Sequence, residues 1–464
     1  MRKATRSSAL LVAIHFTCLA GFHTNAPRCP PPRLDAAASP PPDQSEALSA
    51  AAISGDGAAA LTLLEEMCAA AEATPGRWPH PRCFDDAIIA CSRSTPPDWE
   101  GALQCLQRMT SVGLEPRLYA FNGAISACGR AGQWKECMKL LNQMTAIGVK
   151  PDVVSFNAAL NGLRLAGQAT VALQTLTRMR DRDLTPDYTS YYCVVSACNK
   201  GGQAAAVLGL VDSATTEGIA LSEELLSDAL QACGRGKGQA VAAEKLWSLL
   251  EEMRATAGNG GVLSVRSYNA RLLERGTAGD WRGAVALLNG MAEGGTKADA
   301  SSVSLTARAC GRAGAWEAAI ALLKGCKEEF GVDPDERLYC SAMQACGKAK
   351  EYKRALELLD EAEGTLPSMS FKVYGAAMDA VSKNGGSWKE CLELLERMEG
   401  AGVKGDAGVY NGALHALQKA GEWQQVHDLL FLMRGEGVTT VETLSGYHKN
   451  LWKRAKVEMA RAKK

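Results

Sequence analysis

Phe121, Ala124, Ile125 and Cys128 fall at i, i+3, i+4 and i+7, the spacing that sets four apolar side chains on one face of an α-helix. Gly132 interrupts the pattern, and a second apolar stripe follows at Trp134, Met138 and Leu141. Gly148 and Pro151 close this second segment, because glycine accepts the left-handed turn beyond a helix end and proline cannot continue a helix. Asp152 then stands where a carboxylate can cap the next helix. The pattern predicts an antiparallel helix pair.

The stretch from Phe121 to Trp134 returns, with substitutions, along nearly the whole chain. Units begin near Pro81, Leu118, Val153, Tyr188, Glu223, Val265, Ala300, Glu336, Phe371 and Ala407. An interval of about 35 residues lies in the range where self-similarity signifies stacked supersecondary units. Residues 45–80, with Leu63-Leu64-Glu65-Glu66-Met67, read as a degenerate extra unit. One helix pair buries too little apolar surface alone, so neighbours must stack. The expected fold is all-α, a right-handed α-solenoid of about ten helix-turn-helix repeats over residues 81–441. Residues 442–464 read as a capping helix with a basic tail.

A chain of 464 residues is too long for one ordinary core, which agrees with an array. Its formal net charge is zero, so any polyanion partner must be met by locally arranged cations. Sixteen cysteines include no CxxC pair, and the six histidines are scattered. No metal site and no cofactor are expected, and the cysteines read as reduced core residues. No Ser/His/Asp set or phosphate loop is present, so neither an enzyme nor a small-molecule substrate is expected.

Residues 1–44 are set apart. Met1 to Arg6 is basic, Ala9 to Phe16 is apolar but too short to span a membrane, and Cys18-Leu19-Ala20 supplies small residues for a signal peptidase. A Pro-rich, acid-poor stretch follows, which reads as a disordered targeting tail. A signal peptide running directly into Phe22 and such a tail resembles the bipartite leaders of algae with secondary plastids. The resemblance implies a plastid protein, with a mitochondrial presequence or a plain secretion signal as the alternatives.

Several units open with an aromatic and a small polar residue, as in Phe121-Asn122, Phe156-Asn157, Tyr268-Asn269 and Tyr410-Asn411. The clearest close is Gly148-Val149-Lys150-Pro151-Asp152. Over residues 81–441 this resembles the pentatricopeptide-repeat family and lacks the tetratricopeptide opening W-x₂-L-G-x₂-Y. The resemblance implies an organellar solenoid that binds single-stranded RNA, supports its processing, stability or translation without catalysis, and works beside other RNA-processing proteins. It also implies one base per repeat, selected by the residue after the aromatic and the last residue of the unit. Carried over singly, these are Asn122 with Asp152, Asn157 with Asp187, and Asn269 with Asp299, a combination the family associates with uracil. Ser304 with Asp335 and Gly375 with Asp406 match only in part. Tyr192 with Ser222, Ser227 in the over-long unit Glu223–Ser264, Cys340 with Ser370, and Asn411 with Val441 depart from the pattern.

Arg93, Arg130, Lys200, Arg235, Arg312, Lys348, Lys383 and Lys419 all end the first helix of their units. A cation column at repeat spacing could meet successive phosphates, or could complement the helix dipole and its terminal carbonyls. Both readings stay open. Trp99, Trp134, Trp281, Trp316, Trp388 and Trp423 open second helices and read as wedges between repeats, not base-stacking platforms. A protein-binding scaffold is the alternative function, since helical-hairpin solenoids also hold peptides.

Overall fold

The computed structural model describes residues 42–73, 78–236, 238–256, 261–435 and 446–462. The leader up to residue 41, Val441, and Lys463 and Lys464 of the basic tail lie outside them. Every regular element among the described residues is a helix. First helices begin at each of the ten starts of the sequence repeat, from Pro81–Arg93 to Ala407–Ala420, and each is followed by its second helix. The chain is thus an α-solenoid built in two compact units, Met1–Ala127 and Cys128–Lys464. In the first unit, Pro42–Ser54 and Gly57–Ala73 pack against Pro81–Arg93, burying Leu48, Leu64, Phe84 and Ile88.

The caps follow the sequence closely. Asp152, Asp187, Asp299, Asp335 and Asp406 each accept a hydrogen bond from a backbone N–H in the first turn of the helix they precede. Gly167, Gly202, Gly279, Gly314 and Gly421 end first helices in the left-handed conformation, with φ between 66° and 82°. Lys350 holds the same place at φ 67°, where its Cβ makes the conformation cost about 1–2 kcal/mol more than it would for glycine.

In the unit Cys128–Lys464, successive first helices pack directly on one another from Val153–Ala166 through Ala407–Ala420. Second helices pack mainly on the first helices before and after them. Each first helix is therefore enclosed on two sides. That is why Ala309 and Cys310, or Ala345 and Cys346, are fully buried along with the predicted stripe. The second helices bury a narrower face. In Trp134–Ala146 the deepest residues are Cys137, Leu140, Leu141 and Met144, with Trp134 and Met138 half-buried, so the observed stripe is shifted from the predicted one.

Small residues permit the close packing of first helices. A Cβ added to Gly311 would lie 2.7 Å from the backbone oxygen of Ser341, and one added to Gly129 would lie 2.3 Å from that of Ala158. The preceding cysteine fills the space beside this contact with a small apolar group. Burial pushes the thiols of Cys198, Cys233, Cys310 and Cys346 up to about 11 and so keeps them protonated. No disulfide joins the described cysteines.

The helix Gly446–Ala462 packs on Trp423–Gly435. The Arg454 guanidinium lies 5.1 Å from the Trp423 ring centre, and Leu451 and Ala455 are buried. Buried His448 donates from Nε2 to Oδ1 of Asn411 at 2.6 Å, and burial lowers its pKa from the ordinary 6.5.

Two predictions follow from this packing. Gly311→Ala should destabilise the unit by about 1–3 kcal/mol in denaturant unfolding, because its new methyl group has no room. Gly209→Ala, in a helix interior with nothing within 4 Å of the added Cβ, should instead stabilise by about 0.5–1 kcal/mol. Neutral behaviour of Gly311→Ala would contradict the close-approach account. For His448, the folded state resists the proton that the unfolded state accepts, so its contribution is present above about pH 6.5 and lost as the pH falls. Hydrogen exchange across residues 446–462 should accelerate on acidification, and His448→Gln should remove that dependence.

Candidate nucleic-acid interface

On the unit Cys128–Lys464, the joints between first helices carry polar side chains at repeat spacing. Asp187 caps Tyr188–Gly201 by accepting from the Ser190 N–H at 2.8 Å, while the Asp187 N–H donates to the Ser190 hydroxyl at 3.2 Å. Asn157, the fifth residue of Val153–Ala166, reaches across the joint. Its Nδ2 donates to Oδ2 and Oδ1 of Asp187 at 2.9 and 3.0 Å, and its Oδ1 accepts from the Ser190 hydroxyl at 2.6 Å. The arrangement recurs at the next Asn/Asp pair in this unit: Asn269 donates to Asp299 at 3.3 Å and accepts from Ser302 at 2.7 Å.

The aspartate is therefore the helix cap and the asparagine braces it from the preceding repeat. Capping explains Asp187 and Asp299, but not Asn157 or Asn269. Partial burial opposes ionisation of Asp299, yet bonds from the Ser302 N–H and hydroxyl and from Asn269 outweigh it and hold the carboxyl below its ordinary range. Asn157 keeps a second carbonyl lone pair beyond the one that Ser190 uses.

The other expected positions are filled differently. Asp152 caps Val153–Ala166 through Ser155 at 2.8 Å, and Asn122 occupies the half-buried fifth position of Leu118–Arg130. Ser304 and Asp335 line one cleft of about 1070 Å³ together with Gly375 and Asp406. Among the departures, Tyr188 joins Ser222 at 2.6 Å, and Ser227 is buried against Ser267 at 2.7 Å. Around the over-long unit the face of the first helices is filled with charge. Asp228, 2% exposed, is held by Arg266 and by Asn199 at 3.2 Å, and Asn199 also binds Gln231 and Arg235.

All eight residues of the cation column are exposed, and four serve the joint between repeats. Arg93 donates to the carbonyl of Ala52 at 3.0 Å, Arg235 to that of Asn199 at 3.0 Å, Arg312 to that of Gly276 at 3.4 Å, and Lys348 to that of Arg312. Each carbonyl belongs to the end of the preceding first helix, where intrahelical donors run out. Lys383 pairs with Asp379 at 2.9 Å. Arg130, Lys200 and Lys419 lie at the equivalent helix end. Trp134, Trp281, Trp316, Trp388 and Trp423 are half-buried against the core, as wedges should be.

The sequence reading missed Ser190 and Ser302, which tie each Asn to its Asp. The signal was the D-x-x-S spacing at the helix start, a capping-box arrangement. It also missed Arg308, Arg337 and Lys372, which line the large cleft from outside the cation column.

Residues 116–164 match the model of the PPR repeat family, and residues 337–364 match the PPR repeat model. No curated protein matches the chain. The crystal structure of the pentatricopeptide repeat protein PPR10 from maize is similar at a TM-score of 0.53 and 22% identity, over 90% of this chain and 63% of that one. The same protein in complex with an 18-nt psaJ RNA element gives a TM-score of 0.44 at 19% identity, over 89% and 61%. This chain thus spans less than two thirds of the maize protein's length. The chain therefore carries pentatricopeptide repeats, matched at residues 116–164 and 337–364, and shares the α-solenoid fold of the maize protein.

Proposed function

We propose that the chain binds single-stranded RNA along its first helices, reading bases at the Asn/Asp joints and acting without a catalytic step. The observation that carries this reading is the recurrence, at equivalent joints of two repeats, of one pairing between a half-buried amide and an exposed carboxylate, Asn157–Asp187 and Asn269–Asp299. Unstacked bases present their pairing edges to such groups, whereas a duplex hides them. Uracil offers an N–H between two carbonyls. The spare carbonyl lone pair of Asn157 can accept that N–H, which supports uracil as the base chosen there. A peptide-binding scaffold would be expected to line this face with apolar or mixed residues instead.

Exposed members of the column such as Arg130, Lys200 and Lys419 would add phosphate contacts, and Arg93, Arg235 and Lys348 also hold the repeats together through carbonyls. Bound along a transcript, such a protein would block nucleases, remodel a hairpin or guide other RNA-processing factors. We further propose a plastid as its site of action, from the two-part composition of residues 1–44.

Two measurements test these proposals. Binding to randomised RNA should favour single strands over duplex. Asn157→Ser should change the preferred base at one position, by about 1–3 kcal/mol on the scale of other base-edge contacts. Lys200→Gln should weaken all sequences alike and flatten the salt dependence. An unchanged base profile for Asn157→Ser would remove base reading from this joint. A fluorescent fusion to residues 1–44 should enter the plastid of an alga with a secondary plastid, and Phe22→Ala should divert it to secretion. Mitochondrial import would overturn the plastid assignment.

A further inference from the structure

We propose that the helices Glu336–Ala349 and Phe371–Lys383 grip the RNA backbone through Arg337, Lys372 and the adjoining Arg308, without selecting bases. The inference rests on the RNA-binding reading and divides the face into segments that read and a segment that clamps.

The cleft of about 1070 Å³ is bordered by first helices and the residues that cap them. Arg337 and Lys372 are the second residues of consecutive first helices, and Arg308 lies on the one before. Four carboxylates also line the cleft, but each is engaged by the protein. Asp335 holds the Leu338 N–H at 2.9 Å, Asp406 holds the Val409 N–H at 3.0 Å, Glu336 accepts from the Ser370 hydroxyl, and Asp379 pairs with Lys383. Among the described residues, none of these carboxylates forms an ion pair with Arg308, Arg337 or Lys372. Arg308 is half-buried, and burial and neighbouring Arg312 both act against its charge. A partly desolvated guanidinium beside a second one is stabilised by an incoming anion.

On these two helices the fifth position, which would select a base, holds no amide. The fifth residues are Cys340 and Gly375, where Val153–Ala166 has Asn157. Burial pushes the Cys340 thiol up to about 12, so it presents no charge. Cations without base-selecting partners recognise what every nucleotide shares, its phosphate.

The test uses the full chain carrying Arg308→Gln, Arg337→Gln and Lys372→Gln together, with circular dichroism and melting to verify the fold. Fluorescence anisotropy with labelled randomised single-stranded RNA is measured from about 50 to 200 mM salt. The triple variant should lose about tenfold or more in affinity for all sequences alike. Its salt slope should fall by about two, from roughly 0.7 per phosphate contact on single strands. The base preference at Asn157/Asp187 should persist, and a charge-retaining set, Arg308→Lys, Arg337→Lys and Lys372→Arg, should restore most of the binding. A base-free phosphodiester oligomer should displace RNA from the wild type and act weakly on the triple variant. Wild-type affinity and slope in the triple variant would overturn the clamp while leaving the RNA reading intact. Absence of single-stranded RNA binding by the wild-type chain would overturn both.

Discussion

The close approach of successive first helices is the constraint on which the rest of the structure depends. It requires residues with little or no side chain where helix backbones nearly touch, and Gly129 and Gly311 meet that requirement against Ala158 and Ser341. The cysteines that precede them, Cys128 and Cys310, fill the adjacent space, and burial keeps the Cys310 thiol protonated. Once the helices are this near, a side chain at the fifth position of one helix reaches the cap of the next. Asn157 can therefore bond to Asp187, and Arg235 can reach the carbonyl of Asn199. A larger residue at Gly311 would push its helix away from Glu336–Ala349.

This coupling places helix stability and the proposed base reading in the same side chains. Asp187 and Asp299 each start a helix and also orient the preceding asparagine, so the amide is held in one direction before a ligand arrives. Such preorganisation lowers the ordering cost of binding. The cation column shows the same economy in another form, since four of its exposed members donate to carbonyls at the end of the preceding helix, which have no donor within their own helix.

The sequence was legible wherever a local rule decided the outcome. Helix starts, terminal glycines and caps are set within a few residues, and each of the ten predicted starts opens a first helix. The buried stripe of the first helix was legible only in part, because periodicity within one helix does not reveal that neighbours enclose it on two sides. The site was less legible still. Asn157 and Asp187 stand out by their columns, but the serine joining them and the reach of Arg235 are tertiary facts. Arg308 stands where other repeats hold residues as varied as Ser126, Asn161 and Gln344, and the second position, basic at Arg82, Arg266, Arg337 and Lys372, is mixed in the other repeats, so neither stands out as a continuous column.

The most direct test of the account is to locate RNA on the protein. Single-stranded RNA can be photo-crosslinked to the full chain and the attached peptides identified by mass spectrometry. The account predicts attachment sites on first helices, above all Val153–Ala166, Tyr188–Gly201 and Glu336–Ala349. Crosslinks confined to second helices such as Trp134–Ala146 and Trp316–Phe330 would contradict it.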